Sequence, residues 1–181
     1  MTDVDVVAAL LAAGAGSRFE GPTHKLLAPF GGRPLYEWAL DSVRGAGLRV
    51  IVVTGDVDLD LPDDVERVAN PDWAGGIATS LQAAVHAAGD ADAVVIGLAD
   101  QPRIPTEAWR LVAATDAPIA VATYGGRRRN PVRLGRAVWP LLPVTGDQGA
   151  SALFRDHAVI EVACPGDPAD VDRLEDLERW S

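Results

Sequence analysis

Val4-Asp5-Val6-Val7-Ala8-Ala9-Leu10-Leu11-Ala12-Ala13-Gly14-Ala15-Gly16-Ser17-Arg18 decides how the rest of the chain is read. From Val4 to Leu11 the run is apolar with one interruption. Such a run fits a strand covered on both faces, because a half-exposed strand would alternate. It empties into a loop with glycines at 14 and 16, where backbone N–H groups can approach an anion closely. Arg18, and Lys25 seven residues later, add positive charge. The chain has 16 Lys plus Arg but only one lysine, Lys25. A compact ammonium, rather than a planar guanidinium, is therefore the expected requirement in this loop. Two familiar phosphate motifs do not fit. A dinucleotide fingerprint needs a third glycine, but Ser17, Arg18 and Phe19 follow Gly16. A Walker A loop needs Lys-Ser/Thr after its last glycine, but Pro22 and Thr23 follow Gly21.

Outward from this stretch, Val50–Val53, Ala93–Leu98 and Ile119–Ala122 are further apolar runs of strand length. Leu35, Trp38, Ala39 and Val43 have helical spacing after Pro34, as do Ile77, Leu81, Ala84, Val85 and Ala88. Thr106 is the expected cap of a helix through Trp109 and Val112. Strands alternating with helices predict an α/β fold, a three-layer, doubly wound, mostly parallel sheet. Ligands of such sheets lie beyond the carboxyl ends of the strands. No repeat or linker divides residues 1–181, so a single domain is expected.

Hydrophobic residues make up 48% and charged residues 23%, a composition that excludes a disordered chain. No apolar run reaches the ~18 residues of a membrane span, and the acidic N-terminus lacks the basic region of a signal peptide. Cys164 is the single cysteine and has no intrachain partner, which points to a reducing cytoplasm. A net charge of -10 repels polyphosphate backbones, so no nucleic acid partner is expected. The acidic groups at Asp56–Glu66 and Asp167–Glu178 read as solvated faces.

Asp100 follows the Ala93–Leu98 run. A strand-end aspartate can hold a hard cation, or cap a turn before Pro102. Asn70 is a turn residue before Pro71 or a ligand contact, and Gly75-Gly76 place bare backbone at a helix start. Arg127-Arg128-Arg129, with Arg133 and Arg136, form either a solvated loop face or a guide for an anionic substrate. His24, His86 and His157 form no catalytic constellation.

The stretch Leu11–Arg18, with Lys25-Leu26-Leu27 and Gly32-Arg33-Pro34-Leu35 behind it, resembles the MobA-like nucleotidyltransferases, and most of all the molybdenum cofactor cytidylyltransferases. Asn70–Leu81, Leu98–Pro102, Asn130-Pro131-Val132, Gly146–Ala150 and Asp170–Leu177 extend the resemblance along nearly the whole chain. It implies a Rossmann-like nucleotidyltransferase fold that moves a nucleoside monophosphate from an NTP to an acceptor phosphate and releases pyrophosphate. It assigns Gly14, Gly16, Arg18 and Lys25 to the triphosphate, with the Ala12-Ala13 backbone near the base. Asn70, Gly75, Gly76 and Ser80 would contact base and ribose. Asp100 would hold Mg2+, with Asp172 as the second ligand and Asp147 as the alternative. Arg18, Lys25 and Asp100 would be the catalytic groups. The Ala12-Ala13 pair, where guanylyl enzymes carry Ala-Gly, implies CTP. The implied acceptor is molybdopterin, and the product could serve a molybdoenzyme. Asn130 departs from the usual histidine before this proline. GTP, a sugar or alcohol phosphate acceptor, or a non-catalytic cofactor chaperone remain the alternatives.

Overall fold

In the computed structural model, which describes residues 4–180, the opening run forms β1 (Val6–Ala12). It lies near the middle of a seven-stranded sheet. The other strands are β4 (Arg49–Thr54), β5 (Val65–Ala69), β6 (Ala93–Leu98), β7 (Ile119–Tyr124), β8 (Arg127–Gly135) and β9 (Ile160–Ala163), in the order β5-β4-β1-β6-β8-β7-β9. β8 alone runs antiparallel to its neighbours β6 and β7. A two-stranded hairpin, β2 (Pro29–Phe30) and β3 (Arg33–Pro34), precedes helix α1 (Leu35–Arg44). The remaining helices are α2 (Ile77–Ala88), α3 (Thr106–Ala114) and α4 (Leu174–Trp180).

Alternation along β1 builds the three layers. Val7, Ala9 and Leu11 face one core with Leu81, Ala84, Val85 and Ala88 of α2. Ala8, Leu10 and Ala12 face the other, with Tyr36, Ala39, Leu40 and Val43 of α1 and Trp109 and Val112 of α3. Both faces are covered, which is why the run carries no alternation of polarity. A smaller cluster joins Phe19, Phe30 and Leu35 to Val171 and Leu177. It docks the C-terminal segment beside the first loop.

Three strands of the seven-stranded sheet are not apparent as apolar runs: β5, β8 and β9. β5 and β9 are edge strands with mostly solvated side chains. β8 carries the arginine run at one end and a buried half at the other. Because β8 is antiparallel, its arginines do not act together. Arg128 and Arg129 stand at the ligand end of the sheet, whereas Arg133 pairs with Val95 toward the opposite end. Arg133 is buried and donates to the Ala117 carbonyl, and desolvation lowers its pKa below the usual guanidinium range. Arg136 donates to the Gly89 and Ala91 carbonyls. Neither can guide a ligand. The expected cap at Thr106 is also replaced. Pro105 takes the cap position, and the Thr106 hydroxyl donates to the Ser42 carbonyl at the end of α1.

Candidate nucleotide site

The loop after β1 is shaped by two residues. Gly16 has φ +61°, and a Cβ there would stand 3.3 Å from the Lys25 Cβ. His24 clips the loop's two ends together. Its Nδ1 accepts from the Leu26 N–H at 3.2 Å, and its Nε2 lies 3.0 Å from the Gly14 carbonyl. With Nδ1 accepting, Nε2–H is the donor to the Gly14 carbonyl. Gly14 has nothing within 4 Å of where a Cβ would stand, so its missing side chain leaves open space.

That space is a cavity of about 530 Å³ at the carboxyl ends of β1 and β6. Ala12, Ala13, Gly14, Gly16, Arg18 and Lys25 line one wall. Gly76, Ser80, Asp100 and Asp172 line the others, together with Trp73, Asp147 and Asp170. Lys25 is only 9% exposed, and its Nζ donates to Asp100 Oδ2 at 2.7 Å and to Asp172 Oδ1 at 3.4 Å. Arg18 Nη1 reaches Asp172 Oδ2 at 3.1 Å. Asp100 Oδ1 is buried without a hydrogen-bond partner. A buried, unpaired carboxylate oxygen costs free energy unless a cation or donor meets it. This oxygen and the facing Asp172 therefore fit a divalent cation. Among the described residues no group of three His, Cys, Asp or Glu could hold a metal by itself. Two carboxylates would need oxygens from a bound ligand or water to complete the shell of a hard divalent cation.

Asn70 and Gly75 fall outside this lining. The Asn70 side chain is buried and fully used: Nδ2 donates to Thr79 Oγ1 and Ser80 Oγ, and Oδ1 accepts from the Asp72 N–H. It holds Ser80 in place rather than facing the cavity. Gly75 and Gly76 meet another backbone segment. The Gly146 N–H donates to the Gly75 carbonyl at 2.7 Å, and the Ala78 N–H donates to the Gly146 carbonyl at 3.0 Å. Gly76 has φ +97°, and a Cβ there would run into Gly146 and stand 2.8 Å from Asp147 Oδ1. Gly76→Ala should destabilise the fold by about 2–3 kcal/mol through left-handed backbone strain and this collision. A thermal midpoint lowered by roughly 4–12 °C checks it.

In the sequence Asp170 reads as one more member of a solvated acidic run. Val171 is fully buried, so its neighbours Asp170 and Asp172 both turn the other way, into the cavity. An apolar residue flanked by carboxylates at i−1 and i+1 was the available signal. Gln101, 2% exposed, fixes Asp170: its Nε2 donates to Asp170 Oδ1 at 2.6 Å and to the Pro168 carbonyl at 3.0 Å. Its Oε1 accepts from Asn130 Nδ2 at 3.1 Å. Desolvation in the cleft, and then nearby Asp100, push the Asp170 carboxyl above the usual range, against the lowering effect of the Gln101 bond. A raised folded-state pKa means the folded protein holds this proton more tightly than the unfolded chain, so stability falls as pH rises through that range. Asp170→Asn should therefore raise the thermal midpoint at neutral pH. The gain should shrink as pH falls toward the ordinary aspartate range, which melts over a pH series would show.

A second cavity of about 410 Å³ adjoins the first. Leu11, Ile77, Leu98, Asp147 and Asp170 line both. Leu81, Ile96, Val121 and Phe154 line it together with Arg128, Arg129, Asn130 and Gln101. Arg128 Nε donates to Glu161 at 2.7 Å. The shared residues form a seam where ligands in the two cavities would meet.

Comparison with known proteins agrees with this fold. The model of the MobA-like NTP transferase domain matches residues 8–162. The nicotine blue oxidoreductase of Paenarthrobacter nicotinovorans is 29% identical over 204 aligned positions, covering 99% of each chain. The bifunctional protein GlmU of Rhizorhabdus wittichii is 33% identical over 75% of this chain, but the match spans only 32% of GlmU. The crystal structure of Rv0371c from Mycobacterium tuberculosis H37Rv superposes with a TM-score of 0.85 at 27% identity, covering 98% of both chains. A complex of Rv0371c with manganese superposes with a TM-score of 0.73 at 25% identity, again over 98% of both.

Proposed function

Because the chain belongs to the MobA-like NTP transferase family, we propose that it moves CMP from CTP to the phosphate of a molybdenum-bound pterin and releases pyrophosphate. One observation carries the nucleotidyl-transfer reading. Arg18 and Lys25, on the loop after β1, pair with Asp100 and Asp172 in the wall of a cavity at the carboxyl ends of the parallel strands. The Ala12-Ala13 pair supports cytosine over guanine. The adjoining cavity, lined by Leu81, Ile96, Val121 and Phe154 with Arg129 among them, supports a ring-bodied acceptor with an anionic group over a sugar phosphate. The oxidoreduction named for the Paenarthrobacter relative is that protein's activity. The cation-lined loop here supports phosphoryl chemistry.

An acceptor phosphate is already an anion, so its attack on the α-phosphorus needs no general base. The barrier is the meeting of two anions while pyrophosphate departs. Catalysis therefore rests on positioning and electrostatics. Lys25 and Arg18 neutralise the triphosphate, and the Gly14–Gly16 backbone offers N–H groups to it. Ser80 and the Ala12-Ala13 backbone orient the nucleoside. Arg129 draws the acceptor's phosphate toward the seam. Asp100 and Asp172 would hold a divalent cation, Mg2+ in this reading, which supplies further charge neutralisation for the leaving group. The manganese complex of Rv0371c supports a divalent cation. A cytoplasmic setting belongs to the same reading. Among the described residues no helix is long and apolar enough to cross a membrane.

Incubation with CTP, GTP or ATP, Mg2+ and molybdopterin, read by pyrophosphate release, tests the proposal. Release with CTP alone is expected. Equal or faster release with GTP would overturn the base assignment. Release with a sugar phosphate and none with the pterin would overturn the acceptor. No release with any nucleotide, together with intact cofactor binding, would leave the chaperone reading.

A further inference from the structure

We propose that Asn130 reads a ring N–H on the acceptor molecule, and that Gln101 is the positioning residue that turns the Asn130 amide for this task. The proposal deepens the proposed function and rests on it in one respect, the seating of a ring-bodied acceptor in the second cavity.

A carboxamide fits its site either way round, and its partners decide which end is which. For Gln101 the backbone decides. Its Nε2 lies 3.0 Å from the Pro168 carbonyl, and a carbonyl oxygen can only accept. The same nitrogen donates to Asp170 Oδ1 at 2.6 Å. Oε1 is then the end left for Asn130, and only an N–H can satisfy it. Asn130 Nδ2 donates to it at 3.1 Å. Gln101 is 2% exposed, so a reversed amide would leave buried polar atoms unpaired. The Asn130 backbone is pinned as well, since the Tyr124 hydroxyl donates to its carbonyl at 3.0 Å.

This leaves Asn130 with Oδ1 and one Nδ2 hydrogen, which are the complement in kind of a ring amide's N–H and C=O. Oδ1 has no partner within the protein and is not buried, and Asn130 lines the second cavity. Asp147 and Asp170 can also accept, but they belong to the seam with the first cavity. Of the side chains that line the second cavity alone, Arg128 and Arg129 can only donate, and Gln101 has its oxygen taken. Asn130 and the Ser151 hydroxyl remain as acceptors. Ser151 is exposed and its hydroxyl rotates to suit any ligand, whereas Asn130 has a preset sense.

The test uses pterin-6-carboxylate, which carries a ring amide and an anionic group, and its analogue methylated on the ring amide nitrogen. Both are titrated against the protein by pterin fluorescence. The wild type should bind the methylated pterin about 10-fold more weakly, the usual weight of one hydrogen bond. Asn130→Ala should bind both about equally. Gln101→Glu should lose most of the preference although Asn130 is intact, because a carboxylate cannot donate to the Pro168 carbonyl. A merely structural role would weaken both pterins in parallel and keep their ratio. Asn130→Ala should also keep the thermal shift given by CTP with Mg2+, since Asn130 does not line the first cavity. Should Asn130→Ala not fold, Asn130→Ser should show the same loss of preference. A wild-type ratio in the Asn130 variant would overturn the assignment of Asn130, and one in Gln101→Glu would overturn the positioning role. A wild type that binds both pterins equally well would overturn the proposal and leave the pterin acceptor standing. A wild type that binds neither would overturn the acceptor reading, and this proposal with it.

Discussion

Lys25→Met is expected to lower nucleotidyl transfer by about 10²–10³, the usual cost of removing one preorganised charge from a site of this kind. Methionine keeps the length and apolar stem of the side chain, so the surrounding packing is largely retained. What disappears is the ammonium 2.7 Å from Asp100 and 3.4 Å from Asp172. Rapid-quench measurement of pyrophosphate release checks the result. Lys25→Arg should not rescue it. A planar guanidinium is larger than an ammonium, and the site leaves the lysine only 9% exposed. A variant with wild-type turnover would remove Lys25 from the catalytic groups.

Asp100→Asn has the second large effect. It keeps the shape of the side chain but takes one of the two carboxylates proposed for the cation and leaves Lys25 with Asp172 alone. Transfer should fall by at least about 10². A separate readout is ligand linkage. A nucleotide–metal complex at 100 times its Kd stabilises the native state by about 2.7 kcal/mol. In a chain of this size that corresponds to roughly 5–10 °C in the thermal midpoint. Asp100→Asn should lose most of this shift with Mg2+ and CTP, measured from the variant's own ligand-free midpoint, which falls because buried Lys25 loses its 2.7 Å partner. A retained shift would place the cation elsewhere.

Fold and site were legible to different depths. β1, β4, β6 and β7 stood out because strands buried on both faces must be apolar at every position. The edge strands β5 and β9 carry Glu66, Arg67 and Glu161, which a period-based reading takes for loop. β8 was hidden for a different reason. Its polar end, Arg127–Asn130, and its buried end, Pro131–Gly135, belong to one strand only because β6 and β7 pair with it.

Among the site residues, the chain's one lysine and the two glycines of the first loop were readable from composition and position. So was Asp100, at a strand's end. Local chemistry is enough where a residue type is rare or a backbone conformation is demanding. The partners of Lys25 were not readable, since Asp100 lies 75 positions away and Asp172 lies 147 away. Which carboxylates face the cavity depends on Val171, Leu177 and Phe19 packing into one cluster, and that choice is made by apolar burial far from the charges. The chain's own order therefore determined the layered sheet and the glycine-bearing turn after its first strand. Tertiary packing alone decided which acids oppose that turn, because side chains distant in sequence meet only where buried surfaces bring them together.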